Sequence, residues 1–275
     1  MPSIPETLRS FVAVIVTGGS SGLGKAFIEH AAKLHPAARI CNLSRNKPDI
    51  ILAEHRLRHI TCDLEKSTDV AHAAEEVLAW LHEAAPAGRV LLINNSGFGS
   101  YGKFPNPTLE HQLGMVDLNV RAVVHLTGLL LPELRTRGGA IMNIASTAAF
   151  QPTTYMATYG ASKAFLLHWS LALNEELRGS GLCTLAVCPG PTATNFGLRA
   201  GMKIGSVSDS LSMTCDEVVD AAFHALVAER AQVVTGWKNK VLAMFSARMP
   251  KPLAARGSAV MLKKYRLKQI KPSPP

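Results

Sequence analysis

Short, continuous runs of apolar residues alternate with longer amphipathic segments along most of the chain. Such runs, unbroken by polar residues, are typical of strands that are buried on both faces of a parallel sheet. They predict strands over residues 11–17, 39–43, 59–62, 90–94, 140–144, 183–188 and 233–235. The segments between them predict helices over residues 21–34, 67–83, 110–135, 157–178 and 216–229. This order predicts one doubly wound α/β domain over residues 1–236, with about seven parallel strands and helices on both faces of the sheet.

Positive charge is concentrated at the C-terminal end of the chain. Residues 236–275 hold ten of the 29 Lys and Arg residues and no Asp or Glu, so the remaining nineteen bases and twenty acids give residues 1–235 a net charge of −1. We therefore predict a basic C-terminal extension over residues 237–275, partly helical or disordered. Two interpretations are open: a solvated tail, or peripheral contact with an anionic membrane through cations and apolar residues. The apolar residues are Trp237, Val241, Leu242, Met244 and Phe245.

Cysteine usage and the apolar segments limit where the protein is expected to work. The five cysteines form no CxxC pair and no zinc-ligand pattern, so we expect a reducing compartment and no metal site. Residues 1–10 contain no secretory signal, and the apolar run 120–131 holds Arg121 and His125 and is too short to cross a bilayer. We expect a cytoplasmic protein, with peripheral membrane contact as the open alternative, and no motif indicates nucleic acid binding.

A glycine-rich segment, Thr17-Gly18-Gly19-Ser20-Ser21-Gly22-Leu23-Gly24, joins the first predicted strand to the first predicted helix. Glycine lets backbone approach a phosphate closely, and a helix N-terminus supplies free N–H groups and the positive end of its dipole. At this position the segment predicts a dinucleotide-binding Rossmann domain. The expected cofactor contacts are Thr17, Gly18, Ser20, Ser21, Gly22, Leu23 and Gly24.

The residues that follow the second and third strands are expected to select the cofactor. Ser44 and Arg45 end the second strand, where no acidic residue stands that could bond a ribose 2′-hydroxyl. An arginine can pair with a 2′-phosphate, which predicts NADP(H); an ordinary surface arginine is the alternative. Asp63 and Leu64 follow the third strand, where the carboxylate either meets the adenine amino group or caps a turn.

Asparagine and glycine stand at two further positions where their chemistry needs a reason. Asn95, Ser96 and Gly97 follow the fourth strand, where an amide can tie strand ends together and Gly97 lets a cofactor pass close to the backbone, although a plain turn has the same composition. Asn119 lies inside a long predicted helix, where Asn is unfavourable. This predicts a local bend or a water-binding role.

Tyr159 and Lys163 stand four residues apart on one predicted helix, with Ser146 at the end of the preceding strand. Residues at i and i+4 lie on one helix face, and an ammonium beside a phenol is expected to lower the pKa of the phenol. A Ser hydroxyl can bond the same substrate oxygen. The three residues predict proton transfer to or from a carbonyl or alcohol.

With these residues, the chain resembles the short-chain dehydrogenase/reductase family, in its Tyr-x-x-x-Lys branch of roughly this length. The matches are spread over about residues 10–195 in the family's order and spacing, and Ser96 departs from the family's usual Ala. The matching positions are Thr17, Gly18, Gly22, Gly24, Asp63, Asn94-Asn95-Ser96-Gly97, Asn119, Ser146, Tyr159, Lys163, Pro189-Gly190-Pro191-Thr192 and Thr194.

The resemblance implies a role for each catalytic residue. Tyr159 would be the general acid/base, Ser146 would polarise the substrate oxygen, and Asn119 would position a water that links Lys163 to solvent. Tyr159 and Lys163 would also touch the cofactor, because Lys163 bonds the nicotinamide ribose in this family. The nicotinamide and pyrophosphate would be contacted by Pro189, Gly190, Thr192 and Thr194.

The resemblance also implies a pocket and partners. We expect a ketone or secondary alcohol that is hydrophobic, fatty 3-oxoacyl-like or steroid-like, and a homodimer or homotetramer paired through helices 110–135 and 157–178. Reactions on a double bond, epimerisation, and a cofactor-bound regulatory or scaffolding role are the alternatives. Residues 197–212 predict a mobile loop. The expected pocket residues are Phe98, Ala148, Phe150, Gln151, Tyr155 and Phe196, with Leu198 and Met202 in the loop.

Overall fold

The protein folds around one sheet of seven parallel strands, and the computed structural model describes residues 3–53, 56–202 and 212–263. The strand order is β3-β2-β1-β4-β5-β6-β7, and every neighbouring pair is parallel. Successive strands therefore run outward from β1 in one direction and from β4 in the other. The strands are β1 Phe11–Thr17, β2 Arg39–Ser44, β3 Leu57–Thr61, β4 Arg89–Asn94, β5 Gly139–Ile144, β6 Leu182–Cys188 and β7 Gln232–Val234.

Ten α-helices in the described residues surround the sheet. They are α1 Ile4–Arg9, α2 Gly22–Leu34, α3 Ser67–Ala84, α4 Leu109–Val116, α5 Ala122–Arg137, α6 Ala157–Glu176, α7 Phe196–Arg199, α8 Cys215–Val227, α9 Trp237–Arg248 and α10 Lys251–Lys263. A five-residue π turn, Asp117–Arg121, joins α4 to α5, and a 3₁₀ turn, Thr147–Phe150, follows β5.

The sheet is buried on both faces, as its unbroken apolar runs require. One core cluster packs α2 and α8 against the side of the sheet that carries Val14 and Leu91. The other packs α3, α5 and the end of α6 against the side that carries Ile15 and Leu92. Neighbouring residues of β1 and β4 thus enter opposite cores, because successive side chains of a strand point to opposite faces. The predicted doubly wound α/β fold with about seven strands is confirmed.

The long predicted helix over residues 110–135 is interrupted. Asn119 lies in the π turn Asp117–Arg121, so the regular α-helical hydrogen bonding is interrupted at this residue. The whole helical segment, Leu109–Arg137, is long and apolar enough to cross a membrane by length and composition alone. It is longer than the apolar run 120–131, but α5 packs on α3 and supplies Leu126, Leu130 and Leu134 to the core, as a core helix does.

Two helices at the C-terminal end pack on the domain. Asn239 of α9 is buried against Gly190, where an added Cβ would lie 2.2 Å from Asn239 Nδ2. Ser258 of α10 donates to the Pro152 carbonyl at 3.0 Å, and the Thr154 hydroxyl donates to the Ala255 carbonyl at 2.8 Å. The described part of the basic extension is therefore two helices held over the segment that precedes α6.

Candidate active site

The carboxyl ends of β1 and β4 are joined by hydrogen bonds at the point where the strand order reverses. The backbone N–H groups of Asn95 and Ser96 both donate to Thr17 Oγ1 at 2.9 Å, and Asn95 Nδ2 donates to the Thr17 carbonyl at 2.9 Å. Open parallel sheets bind their ligands outside the strand ends at such a reversal. The amide predicted to tie strand ends together therefore does so at the edge where a dinucleotide would lie.

The glycine-rich segment is packed too closely for side chains. A Cβ on Gly24 would lie 2.2 Å from the Gly18 carbonyl oxygen, and one on Gly18 would lie 2.6 Å from Ser96 Oγ, with Gly18 at φ +71°. Gly22, at φ +56°, faces Thr194 at a Cβ distance of 3.4 Å. The loops that carry Ser96 and Thr194 thus close on the first turn of α2.

The first turn of α2 is suited to an anion. Ser21 stands at its N-cap position and makes no side-chain capping bond among the described residues. The first N–H groups of a helix have no partner within the helix, so an uncapped start leaves them for a phosphate. Ser20, Ser21, Gly22 and Leu23 are all partly exposed here. The segment fits the pyrophosphate of a dinucleotide, with Gly18, Gly22 and Gly24 giving the close approach.

The end of β2 brings a polar network to the glycine loop. Asn42 Oδ1 accepts from Gly19 N at 2.8 Å, and Asn42 Nδ2 donates to Ser44 Oγ at 2.8 Å. Ser44 Oγ donates in turn to the Asn46 carbonyl at 2.8 Å. The predicted cofactor contact Ser44 therefore has its hydroxyl used inside the protein. Asn42, which sequence analysis did not single out, fixes the loop instead.

Arg45 points outward beside Glu65. Its Nη1 lies 3.8 Å from Glu65 Oε1, and its side chain is 67% exposed. Burial raises the pKa of Glu65, Asp63 nearby raises it further, and Arg45 opposes both. An exposed ion pair at this distance contributes little stability, so the guanidinium is readily available to another anion.

Asp63 and Leu64 take different positions. Asp63 Oδ1 accepts from Glu65 N at 3.3 Å, and Asp63 Oδ2 lies 3.6 Å from Lys66 Nζ, which is the turn-capping arrangement that sequence analysis left open. Leu64 is buried in the core cluster with Val70 and Leu92, so its side chain is a core group. Any contact that it makes with a cofactor is a backbone contact.

Tyr159, Ser146 and Lys163 converge above the ends of β5 and β6. Tyr159 and Lys163 lie one turn apart on α6 and are buried, and Lys163 Nζ donates to the Ile144 carbonyl at 2.7 Å. Ser146 lies close enough to Tyr159 to affect the pKa of the phenol, and the Ser146 hydroxyl accepts from Ala148 N at 3.1 Å. Gly97 closes the group, because a Cβ there would lie 2.9 Å from Asn119 Oδ1 and 3.3 Å from Lys163 Nζ.

Burial sets the proton affinities of this pair. It raises the pKa of Tyr159 to about 12, against a smaller lowering from Ser146. It lowers the pKa of Lys163 to about 8, because the charged form is desolvated. Burial thus outweighs the lowering of the Tyr159 pKa that was expected from Lys163. The ammonium is engaged by the Ile144 carbonyl and lies 5.9 Å from the centroid of the phenol ring.

Asn119 links the end of β4 to α6. Its Oδ1 accepts from Phe98 N at 3.1 Å, and its Nδ2 donates to the Phe98 carbonyl at 2.9 Å and to Ser162 Oγ at 3.0 Å. The side chain is fully buried at the π turn, a feature that is frequent at functional sites. Asn119 thus fixes the segment after β4 beside Lys163.

The segment after β6 returns to the glycine loop. The Pro189 carbonyl accepts from Thr147 N at 2.8 Å, and Thr194 Oγ1 accepts from Phe196 N at 3.2 Å. Thr192 Oγ1 donates to the Gly190 carbonyl at 3.0 Å. Sequence analysis missed Arg199, whose Nη2 donates to Ser21 Oγ at 3.4 Å. A basic residue in the predicted loop was the available signal. Residues 203–211 of that loop lie outside the described residues.

An apolar cluster surrounds the phenol. We call it the active-site cluster. Its buried members are Tyr101, Met115, Met156, Tyr159 and Leu262, and Phe98, Ala148, Tyr155, Phe196 and Met202 pack against it. The ring centroids of Phe196 and Tyr159 are 5.1 Å apart. Tyr155 holds a left-handed φ of 67°, which is uncommon outside glycine.

One predicted pocket residue and one loop residue lie elsewhere. Phe150 packs with Leu166 and Cys188 in a separate cluster beneath the 3₁₀ turn, so its assignment to the pocket is corrected. The Gln151 carbonyl accepts from Thr153 Oγ1 at 3.2 Å, and the residue is half-buried, so its place in the pocket stays a prediction. Leu198 is exposed.

The active-site cluster contains residues that sequence analysis did not connect with it. Leu262 comes from the last turn of α10, and its carbonyl accepts from the Tyr101 hydroxyl. Tyr101 and Met115 come from the loop after β4 and from α4. The basic extension thus supplies part of the wall around Tyr159. Its sequence gave no signal for this, because a Leu among lysines is equally typical of a solvated helix.

Comparisons with known proteins agree with this geometry. The family model for short chain dehydrogenases matches residues 12–203. Ketoacyl reductase HetN of Nostoc sp. is 30% identical over 233 residues, which cover 80% of this chain and 77% of that protein. The very-long-chain 3-oxoacyl-CoA reductase of Anas platyrhynchos is 30% identical over 193 residues, or 66% of this chain and 60% of that protein.

A solved structure with the same architecture adds a cofactor complex to the comparison. It is a short-chain dehydrogenase from Sphingobium yanoikuyae in complex with NADPH. It superimposes with a TM-score of 0.69 at 27% identity, covering 95% of this chain and 98% of that one. The similarity therefore extends beyond the cofactor-binding strands to nearly the whole chain.

Proposed function

The chain belongs to the short-chain dehydrogenase family, whose members are oxidoreductases, and from this premise we propose that it interconverts a hydrophobic ketone and a secondary alcohol with NADP(H). The observation that carries the proposal is the position of the Tyr159 phenol. It is buried in an apolar cluster, next to Ser146 and one helical turn from Lys163. A carbonyl compound held there would meet a proton donor in a dry environment.

The chain's own residues supply the acid/base part of the reaction. With a pKa of about 12, Tyr159 keeps its proton at neutral pH and can give it to a carbonyl oxygen. Ser146 would hold and polarise the same oxygen. Lys163 would bond the nicotinamide ribose, and Asn119 keeps the adjacent strand end in place. The bound nicotinamide supplies the hydride.

The preference for NADP(H) rests on Arg45. The Arg45 side chain follows β2 and is 67% exposed. Binding a phosphate would cost it a long, 3.8 Å ion pair with Glu65. A 2′-phosphate would give it a charge-assisted, bidentate partner. The NADPH complex of the Sphingobium yanoikuyae relative supports the same choice.

The substrate class rests on the active-site cluster. Its members are aromatic or aliphatic, which favours a fatty 3-oxoacyl-like or steroid-like compound over a sugar or an amino acid. The two relatives that act on ketoacyl and very-long-chain 3-oxoacyl compounds support the fatty alternative.

A cofactor-oxidation assay tests the proposal. Purified protein is given NADPH and a series of 3-oxoacyl thioesters and cyclic ketones of increasing size, and the absorbance of NADPH is followed. We expect turnover that rises with the apolar bulk of the substrate. Tight NADPH binding with no turnover on any ketone would instead indicate a cofactor-bound regulatory or scaffolding protein.

We further propose a homodimer or homotetramer. Apolar side chains are exposed along the helices that the family uses for pairing, at Leu109, Leu113, Val124, Leu129 and Phe165. Pairing α4, α5 and α6 with their symmetry mates would cover them. Light scattering after size-exclusion chromatography measures the state, and a monomer at micromolar concentration would contradict it.

We propose that the protein is located in the cytoplasm. All five cysteines are free thiols, and Cys41, Cys62 and Cys188 are buried where burial raises the pKa of each to about 12. Free, protonated thiols suit a reducing compartment. This location is compatible with contact between the C-terminal helices and a membrane surface.

A further inference from the structure

Helix α9 carries its large apolar side chains on the side that faces away from the domain. The side that faces the domain carries Asn239, Ala243 and Ser246, all buried and all small or polar. The outer side carries Trp237, Val241, Met244 and Phe245, with Trp237 74% and Phe245 65% exposed. These four residues are spaced i, i+4, i+7 and i+8, so they form one continuous stripe.

Helix α10 continues the arrangement. Ala254, Ser258 and Leu262 are buried against the domain, while Leu253 and Val260 are exposed on the opposite side of the helix. Large apolar groups gathered on an outer face are unusual for a surface that meets only water. The outer face of α9 and α10 therefore has the composition of a contact surface.

The charge of the same two helices indicates what they contact. Residues 236–263 contain six cations and no Asp or Glu, and all six cations are exposed. Lys238 and Lys240 flank the apolar stripe on its two sides, by helical position. Trp237 begins α9, and tryptophan favours a membrane–water boundary. The cations are Lys238, Lys240, Arg248, Lys251, Arg256 and Lys263.

We propose that α9 and α10 dock the protein on an anionic lipid surface. The apolar stripe enters the boundary between headgroups and acyl chains, and the flanking cations pair with lipid phosphates and carboxylates. A second copy of the chain is a poorer occupant. A two-fold contact would set the six cations of one face against the same six of the other, with no acid to pair.

Docking would place the active site beside the lipid. Leu262, on the inner side of α10, belongs to the cluster around Tyr159, so one helix separates that cluster from the outer face. On the proposed function, a hydrophobic ketone dissolved in the bilayer would reach Tyr159 past α10 without crossing water. This route rests on the proposed reaction, whereas the docking itself does not.

Vesicle sedimentation of the full chain, without cofactor or substrate, tests the docking. The vesicles are phosphatidylcholine alone, or phosphatidylcholine with about one quarter phosphatidylserine. We expect binding to the anionic vesicles only, weakened by salt. The variant Lys240→Glu/Arg248→Glu should bind about tenfold more weakly or worse, as should Val241→Gln/Phe245→Gln.

Two matched controls make the result specific to this face. Lys33→Glu/Arg135→Glu reverses two exposed cations elsewhere, and Ile51→Gln removes an exposed apolar side chain elsewhere. Both should bind like the unaltered protein. Circular dichroism and NADPH binding check that every variant is folded.

Three outcomes would overturn the proposal. They are no binding to anionic vesicles, equal loss in the test and control variants, and a change of molecular mass in Val241→Gln/Phe245→Gln, which would assign the face to a second copy. Lipid binding and molecular mass are both measured without turnover. A failure of the docking proposal can therefore be distinguished from a failure of the proposed reductase activity.

Discussion

The cofactor side and the substrate side of the site are built by different means. On the cofactor side, backbone groups and short polar side chains are fixed at close distances, as in the bonds of Thr17 to Asn95 and Ser96. On the substrate side, apolar groups from distant segments pack together, as Tyr101, Tyr159 and Leu262 do. The first arrangement requires particular residue types at fixed spacing, whereas the second requires only apolar groups of suitable size.

This difference determines how each side can change. A glycine whose Cβ would collide with a carbonyl oxygen has no substitute, while a leucine in a packed cluster can be exchanged for another apolar residue at modest cost. The cofactor side is therefore expected to fail abruptly on substitution and the substrate side to change gradually. The following predictions separate the two.

Tyr159→Phe should divide chemistry from cofactor binding. Removing the hydroxyl deletes the proton donor while keeping the ring in its cluster, so kcat should fall about 10²–10⁴-fold. The dissociation constant for NADPH should change little, because the cofactor side keeps its hydrogen bonds. Steady-state kinetics and fluorescence titration measure the two. Near-normal turnover would contradict the assigned mechanism.

Gly24→Ala tests the rigidity of the cofactor side. The new methyl group would lie 2.2 Å from the Gly18 carbonyl oxygen, and we expect a loss of about 1–3 kcal/mol in unfolding free energy with weaker NADPH binding. Gly128→Ala is the matched control, since nothing lies within 4 Å of its added Cβ in α5. It should be neutral or slightly stabilising. Equal effects of the two substitutions would remove the contrast.

Leu262→Ala tests the substrate side. Loss of a buried leucine should cost about 2 kcal/mol, the low end for such changes, because the last turn of a helix can relax. The KM for a bulky ketone should rise, while NADPH affinity should hold. Leu253→Ala, from the exposed side of α10, serves as control and should stay within about 0.5 kcal/mol. An unchanged KM in Leu262→Ala would exclude α10 from the pocket wall.

The buried ammonium of Lys163, between the two sides, should make the unfolding free energy depend on pH. Lys163 has a pKa of about 8 in the folded chain against an ordinary value of 10.5. Between these values the unfolded chain holds a proton that the folded chain lacks, so stability rises with pH, by about 2 kcal/mol from pH 8 to 9.5. Urea unfolding of the protein and of Lys163→Met should diverge accordingly. If the unfolding free energies of the two proteins changed with pH in parallel, the lowered pKa of Lys163 would be refuted.

Arg45→Ala should give the smallest effect. Losing the partner of a 2′-phosphate should raise the KM for NADPH about tenfold and leave that for NADH nearly unchanged. Lys47→Ala supplies the control, as a basic residue two positions further along. If Arg45→Ala changes the KM for NADPH and the KM for NADH to the same extent, Arg45 does not bind the 2′-phosphate.

The sequence predicted the close packing of the glycine segment and the strand ends better than the packing around Tyr159. Thr17, Gly18, Gly24 and Asn95 are recognisable because their roles depend on local backbone geometry, and local geometry leaves a pattern of residue types. The seven strands followed from unbroken apolar runs for the same reason. The position of the π turn at Asn119 was likewise indicated by an unfavourable residue in a helix.

Tertiary contacts explain what the sequence did not disclose. Nothing local distinguishes Leu262 from a leucine on a solvated helix, and only packing brings it to Tyr101, across 161 residues. Phe150, assigned to the pocket by the resemblance, lies at the end of the 3₁₀ turn and packs in another cluster. The pKa of Tyr159 follows from burial, which spacing along a helix does not report.

The contribution of Leu262 to the pocket separates the two sides of the site along the chain. The cofactor cradle, Ser146, Tyr159 and Lys163 all lie at or before Thr194, whereas Leu262 follows β7, α8, α9 and most of α10. Because a domain folds as a unit, the pocket wall is complete only when the C-terminal end of the chain has been made. On the proposed function, a chain cut before α10 would keep the groups that bind nucleotide and lack part of the wall that selects a substrate.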